Sequence, residues 1–264
     1  ISAWSFNPNA LADENSSNDT LITTICTALS GTYTLGGALA DFTSFSELTG
    51  ALSSCGVSGP ITVKVNAGVG PFDDRLILSN INGLNSTNTL TINGNGQIIQ
   101  SATTPPDYRI VGLDGVKHVI IDSLIIKAVS ISSTFGVHFT NGADSNVLQN
   151  CIIDLSSNTS ASASVAGIVF SNSKTSPNSE GNNGSYNVIT NNSILGTASA
   201  GAFYGIILNG QNSGINCYSN IITNNTVENF YAYGIYLNEV NDALVENNII
   251  TSEDRSASAT RTGI

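Results

Sequence analysis

Two short phrases alternate along the second half of this chain, and a chain written that way can bury its apolar residues only by stacking on itself. The first phrase reads Tyr204-Gly205-Ile206-Ile207-Leu208 and recurs as Phe135-Gly136-Val137-His138-Phe139, Ala166-Gly167-Ile168-Val169-Phe170 and Tyr233-Gly234-Ile235-Tyr236-Leu237, with Thr262-Gly263-Ile264 as a truncated copy. The second reads Ile221-Ile222-Thr223-Asn224-Asn225-Thr226-Val227 and recurs at 147–153, 188–194 and 244–250, with a weaker version at 119–125. From Gly136 through Gly167, Gly205, Gly234 and Gly263 the steps are 31, 38, 29 and 29 residues. Repeats of this size made of strand-like phrases indicate a solenoid. The phrases are rich in Ile and Val and bounded by Gly, Asn and Ser, which suits strands.

Alternation puts Val137/Phe139, Ile168/Phe170, Ile206/Leu208 and Ile235/Leu237 on one face, as columns inside a coil. In the asparagine phrase, Leu148, Ile189, Ile222 and Val245 form one column and Ile153, Ile194, Val227 and Ile250 another. The asparagine pairs interrupt that alternation. Asn tolerates the left-handed backbone and bonds its own main chain, so a tight corner is expected there. Stacked corners make a structural ladder of side-chain amides, placed at Asn150, Asn191, Asn224 and Asn247. A row of polar ligands is the competing reading.

On these residues the chain resembles the right-handed parallel β-helix of the pectate-lyase-like superfamily, over roughly residues 60 to 264. The resemblance implies an all-β fold: a right-handed parallel β-helix solenoid with a short N-terminal capping helix, preceded by the tail of a β-sandwich module. Residues 1–30 are assigned to the end of an immunoglobulin-like module or linker and residues 31–264 to the β-helix. The stretch Asn9 through Thr24, and then Gly31 to Gly37 with Asp41-Phe42-Thr43-Ser44-Phe45, resembles segments of large secreted Bacteroidetes surface proteins. The capping helix is expected over Ser44–Ser54, with Asp41 or Thr43 as N-cap and Gly56 after its end. First-coil strands are expected at 61–65, 76–78 and 90–93, and a loop over 97–108. The chain stops two residues into another glycine phrase without a cap, so further coils are expected to follow in the full protein.

Charged residues make up only 10% of the 264, and the net charge of −11 reflects few Lys and Arg. That balance argues against nucleic acid and anionic membrane surfaces as partners, both of which need basic clusters. No apolar run reaches membrane-spanning length, so membrane insertion is not expected. Four cysteines at 26, 55, 151 and 217 lack zinc-ligand spacing. Cys26 and Cys55 flank the start of the coil and are candidates to pair, whereas Cys151 reads as a buried thiol.

In enzymes of the resembled superfamily the active site is built on an outward strand face from acids, Arg, Lys or His on successive coils. Here the corresponding row reads Val111, His138, Val169, Ile207 and Tyr236, without paired carboxylates, an acidic cluster for calcium, or a Lys/Arg pair to neutralise a uronate. No catalytic residue, metal ligand or cofactor is assigned. Two weaker groups are Lys117, Arg109 and Asp122, and Glu239, Asp242 and Glu246; each also suits an ordinary solvated edge. The aromatics Tyr204, Tyr231, Tyr233 and Tyr236 are candidates to stack on sugar rings, or else on one another. The expected function is a non-catalytic structural or adhesive segment of a secreted or cell-surface bacterial protein, contacting polysaccharide or other surface components. The alternative is a polysaccharide lyase or glycoside hydrolase whose active site lies at the edge of this segment or outside it.

Overall fold

The computed structural model describes residues 2–4, 20–22, 26–130, 132–211, 217–253 and 261–264. From Leu29 onward the chain winds into a parallel β-helix of three sheets, each coil giving one strand to each sheet in turn. An eight-stranded asparagine sheet holds Leu29–Leu35, Val57–Val65, Leu90–Asn93, Val119–Asp122, Val147–Gln149, Val188–Thr190, Ile221–Thr223 and Leu244–Glu246. A seven-stranded middle sheet runs from Phe72–Asp73 to Ile249–Thr251. A six-stranded glycine sheet holds Leu76–Ser79, Arg109–Asp114, Thr134–Thr140, Val165–Phe170, Tyr204–Asn209 and Tyr233–Asn238. The loop expected at 97–108 contains the middle-sheet strand Ile98–Ser101. Its register puts Ile99 between Phe72 and Ile126, so it continues an apolar column.

Those columns are the core. Val111, Val137, Ile168, Ile206 and Ile235 pair in register and lie inside, as do Leu113, Phe139, Phe170 and Leu208. Phe139 and Phe170 stack with ring centroids 4.3 Å apart. Burying each such side chain contributes about 1.5–3 kcal/mol. The glycine column has a steric cause. A Cβ on Gly136, Gly167, Gly205 or Gly234 would strike the middle-sheet residue of the same coil, respectively Ile153, Ile194, Val227 and Ile250, and a carbonyl of the next coil.

The amide ladder runs one residue later than the sequence reading placed it. Asn150, Asn191, Asn224 and Asn247 are the left-handed corners, with φ of 54°, 55°, 57° and 56°, and their side chains point outward. The buried ladder is formed by the second residue of each pair. Asn192 Nδ2 donates to Asn225 Oδ1 at 3.0 Å, and Asn225 Nδ2 to Asn248 Oδ1 at 3.0 Å. Cys151 occupies the same column, buried, its main-chain N–H donating to Asn192 Oδ1. The reason is geometric: the left-handed corner reverses the side-chain direction, so the residue after it points into the coil. A second buried ladder sits at the preceding corner, where Asn146, Asn187 and Asn220 follow left-handed Ser145, Tyr186 and Ser219.

The helix covering the first coil spans Phe45–Cys55 and buries Phe45, Leu48 and Leu52. Its N-cap is Ser44, neither Asp41 nor Thr43. Ser44 Oγ accepts from Glu47 N–H at 3.1 Å while Glu47 Oε2 accepts from Thr43 N–H at 2.7 Å, a variant of the capping box in which the carboxylate reaches the residue before the N-cap. Gly56, with φ of 67°, ends it. Cys55 at the helix end is disulfide-bonded to Cys26. Strands Ser2–Trp4 and Thr20–Ile22 pair antiparallel; of the stretch 1–30 read as a sandwich tail, residues 1, 5–19 and 23–25, including most of Asn9 through Thr24, lie outside the described residues, and Leu29 and Ser30 already belong to the first strand of the asparagine sheet.

Candidate functional site

The outer face of the glycine sheet carries the row of candidate residues. Its row in register is Ile77, Gly112, His138, Val169, Ile207 and Tyr236. Val111 is not part of it: it pairs with Val137 and lies in the core. This coil lacks the aromatic-glycine marker, and Ile110 stands opposite Gly136, which displaces the reading by one residue. A neighbouring outward row holds Arg109, Phe135, Ala166, Tyr204 and Tyr233.

Much of this face is closed. The Ser/Gly/Asn-rich loop that follows Val165–Phe170 folds back over it as a strap. Tyr108 N–H donates to the Lys174 carbonyl at 3.0 Å, Gly181 N–H to the Gly210 carbonyl at 3.1 Å, and Asn209 Nδ2 to the Pro177 carbonyl. Beneath it His138, Val169 and Ile207 have no exposed surface.

Under the strap edge lies a charge cluster. Arg109 is 2% exposed; its Nε and Nη2 each donate to Asp107 at 2.9 Å, and its Nη1 to Asp114 Oδ2 at 3.1 Å. Arg75, from the coil before, places Nη2 2.7 Å from Asp107 Oδ1 as an ion pair without hydrogen-bond alignment and donates from Nε to the Arg109 carbonyl at 2.6 Å. Asn141 Nδ2 donates to Asp114 Oδ1 at 2.6 Å, and Lys174 of the strap lies 4.0 Å from Oδ2. An Arg pair on adjacent coils therefore exists, contrary to the sequence reading, and Asp107 bridges it. Burial raises the affinity of Asp107 and Asp114 for protons, but their bonds to Arg109 and Asn141 and the nearby cations more than offset this, so both stay below the usual carboxylate range. His138 Nε2 is 2.8 Å from the Ser171 carbonyl, which can only accept, so Nε2 carries the proton. Burial, reinforced by the Arg109 charge, pushes His138 down to about 4. Nδ1 has no partner. At neutral pH His138 is therefore neutral, while Asp107 and Asp114 are ionised and engaged by Arg75, Arg109 and Asn141.

Toward the later coils the same face becomes aromatic. Tyr204 and Tyr233 stack at 5.3 Å, Tyr233 and Tyr236 meet edge to face at 5.0 Å, and Tyr204 lies 5.6 Å from Tyr236. Tyr231 packs on Phe203 at 5.5 Å. Tyr204 is 6% exposed and supports the others; Tyr231, Tyr233 and Tyr236 are half-buried. The tyrosines named from sequence thus come together as one ledge.

The remaining candidates do not converge. Lys117 pairs with Asp144 at 2.6 Å and Asp122 accepts from Asn150 at 2.8 Å, both apart from Arg109. Glu239 and Asp242 are left-handed turn residues, and Glu246 continues the outward row of Thr223. Among the described residues no three of His, Cys, Asp and Glu gather as a metal site, and no helix is long and apolar enough to cross a membrane. Sequence reading missed the Arg75–Asp107–Arg109–Asp114 cluster and the Asn146–Asn187–Asn220 ladder. The second had a signal, since each of its asparagines immediately precedes a Val or Ile that opens an asparagine-sheet strand.

A family model described as the right handed beta helix region matches residues 109–263. No curated protein matches the chain.

Proposed function

The chain belongs to the right-handed β-helix family, and on that premise we propose that it is a non-catalytic structural or adhesive segment of a large bacterial surface protein. It acts outside the cell, or on its surface, and contacts polysaccharide through the tyrosine ledge. The observation that carries this reading is the ledge itself. Tyr233 and Tyr236 are half-buried rings packed on one another on a sheet, backed by buried Tyr204, on a face whose charged groups are already spent on one another. Rings held this way stack on the C–H faces of sugars at little entropic cost. The Cys26–Cys55 bond supports an oxidising compartment. A Bacteroidetes-type setting rests on the resemblance of the N-terminal segments.

The test is retardation of the full chain in native gels containing a panel of neutral and acidic polysaccharides. Y233A/Y236A should lose retardation while melting near wild type. Equal retardation of that variant, or none with any polymer, overturns the reading. One observation favours the alternative, a polysaccharide lyase or hydrolase: Arg75, Asp107, Arg109, Asp114 and His138 converge on the outer face. Reducing-end and unsaturated-product assays decide between them. Turnover abolished by His138→Ala would make the enzyme the better reading.

A further inference from the structure

At the corner where the glycine sheet passes the chain to the asparagine sheet, two consecutive coils enclose a concave pocket of about 320 Å3. One wall is the turn carrying Asn80, Asn82 and Asn85, and the other the turn carrying Lys117 and His118. Left-handed backbone at Asn80 (φ 53°) and His118 (φ 59°) fixes the corner on both sides. The floor is apolar: Ile81 and Leu84 pack against the core, and Val116 is 3% exposed.

The charges at the rim are neutralised within the protein. Lys117 Nζ lies 2.6 Å from Asp144 Oδ2, and Asp114 is bound by Arg109 and Asn141. Asn85 Oδ1 is taken up by the N–H groups of Thr87 and Asn88. The side-chain amides of Asn80 and Asn82 and the imidazole of His118 make no hydrogen bond to another described residue. The amides left to a ligand are therefore uncharged donors and acceptors set above aliphatic side chains. That combination matches hydroxyl groups on one edge of a ring and C–H groups on its face. An anion would need a cation not already paired, and a volume at the small end of ligand pockets suits a single ring.

We propose that this pocket binds one neutral pyranose unit. It lies on earlier coils than the tyrosine ledge, and the inference does not rest on sugar binding there.

The experiment is a titration of the 15N-labelled full chain, followed by amide NMR, with methyl β-glucopyranoside, methyl β-galactopyranoside, methyl α-mannopyranoside and glucuronate. At least one neutral glycoside should give saturable shifts at the Asn80 and Asn82 side-chain amides and at Gly115 and His118, with a roughly millimolar Kd. Glucuronate should bind more weakly. N80G/N82A, in which glycine keeps the left-handed backbone at 80, should weaken binding about tenfold or more. Y233A/Y236A should bind as wild type. If N80G/N82A folds poorly, His118→Asn, which also tolerates the left-handed backbone, must show the loss instead. Absence of saturable shifts with all three glycosides, tighter binding of glucuronate, or unchanged affinity in a folded pocket variant overturns the proposal.

Discussion

Replacing Asn225 and replacing Asn224, neighbours in the same motif, should have very different consequences. The Asn225 side chain has no exposed surface. Its Oδ1 accepts from Asn192 N–H at 2.9 Å and from Asn192 Nδ2 at 3.0 Å, while its Nδ2 donates to the Ile189 carbonyl at 2.9 Å and to Asn248 Oδ1 at 3.0 Å. In Asn225→Ala, Asn192 Nδ2 keeps the Leu148 carbonyl and Asn248 Oδ1 keeps the Asn225 N–H. The Asn192 N–H loses its acceptor and the Ile189 carbonyl loses a donor. With each buried group left short costing about 1–3 kcal/mol, the substitution should destabilise by about 2–6 kcal/mol. Asn224 is exposed at φ 57°, so Asn224→Ala forfeits only the tolerance of Asn for that conformation, about 1 kcal/mol. Urea unfolding followed by far-UV circular dichroism measures both, provided the slopes with denaturant agree. An Asn225→Ala loss no larger than that of Asn224→Ala would refute the assignment of the ladder to the second asparagine.

Four further outcomes are expected. Gly205→Ala should lower the melting temperature sharply, because the new Cβ would sit 2.5 Å from the Gly234 carbonyl oxygen and nearer still to Val227. Gly50→Ala should raise it, because Gly50 lies within the capping helix with nothing within 4 Å, and alanine there gains about 0.5–1 kcal/mol. Reducing the Cys26–Cys55 bond, which spans 29 residues, should cost about 3–4 kcal/mol and speed hydrogen exchange in the capping helix. His138 is held neutral in the fold at a pKa of about 4, below the ordinary histidine value of 6.5 that it takes once unfolded. The unfolded chain therefore takes up a proton first as pH falls. Stability should drop between pH 6.5 and 4 by an amount on the order of 3 kcal/mol, and His138→Gln should flatten that slope.

The sequence made most of the fold legible because its apolar columns repeat with the coil, and where the repeat carries a marker the reading locates individual side chains. Ile206, Ile235, Ile153 and Ile194 lie where alternation puts them. It failed where the marker is missing or doubled. The coil holding Arg109–Asp114 has no aromatic-glycine pair, so Val111 was put outside although its register with Val137 puts it inside. Two adjacent asparagines fit a corner equally well until one asks which side chain faces in. Cys151 held the answer, since a thiol in the second position of the pair is a buried residue type. The Arg75–Asp107–Arg109–Asp114 cluster had no periodic signal. Its members come from strand ends and a loop, and only the winding of the coil brings Arg75 beside Asp107 across 32 residues of chain.

The closed and open parts of the outer glycine-sheet face share one physical logic. Around His138 the sheet carries a buried guanidinium whose two carboxylate partners neutralise it, and removing either partner would leave an unpaired buried charge. The strap adds Lys174 to that cluster and accepts a hydrogen bond from His138 through Ser171, so it belongs to the same electrostatic unit. A substrate approaching these groups would have to displace the strap and break those contacts before any proton could move. Three coils further on, no strap among the described residues covers Tyr233 and Tyr236, and their rings are held by stacking rather than by charge. A ligand contacting them would meet rings already fixed in place by one another. The face therefore differs along its length: contact at the charged end would demand rearrangement of a satisfied network, whereas the aromatic end is ordered by ring packing alone.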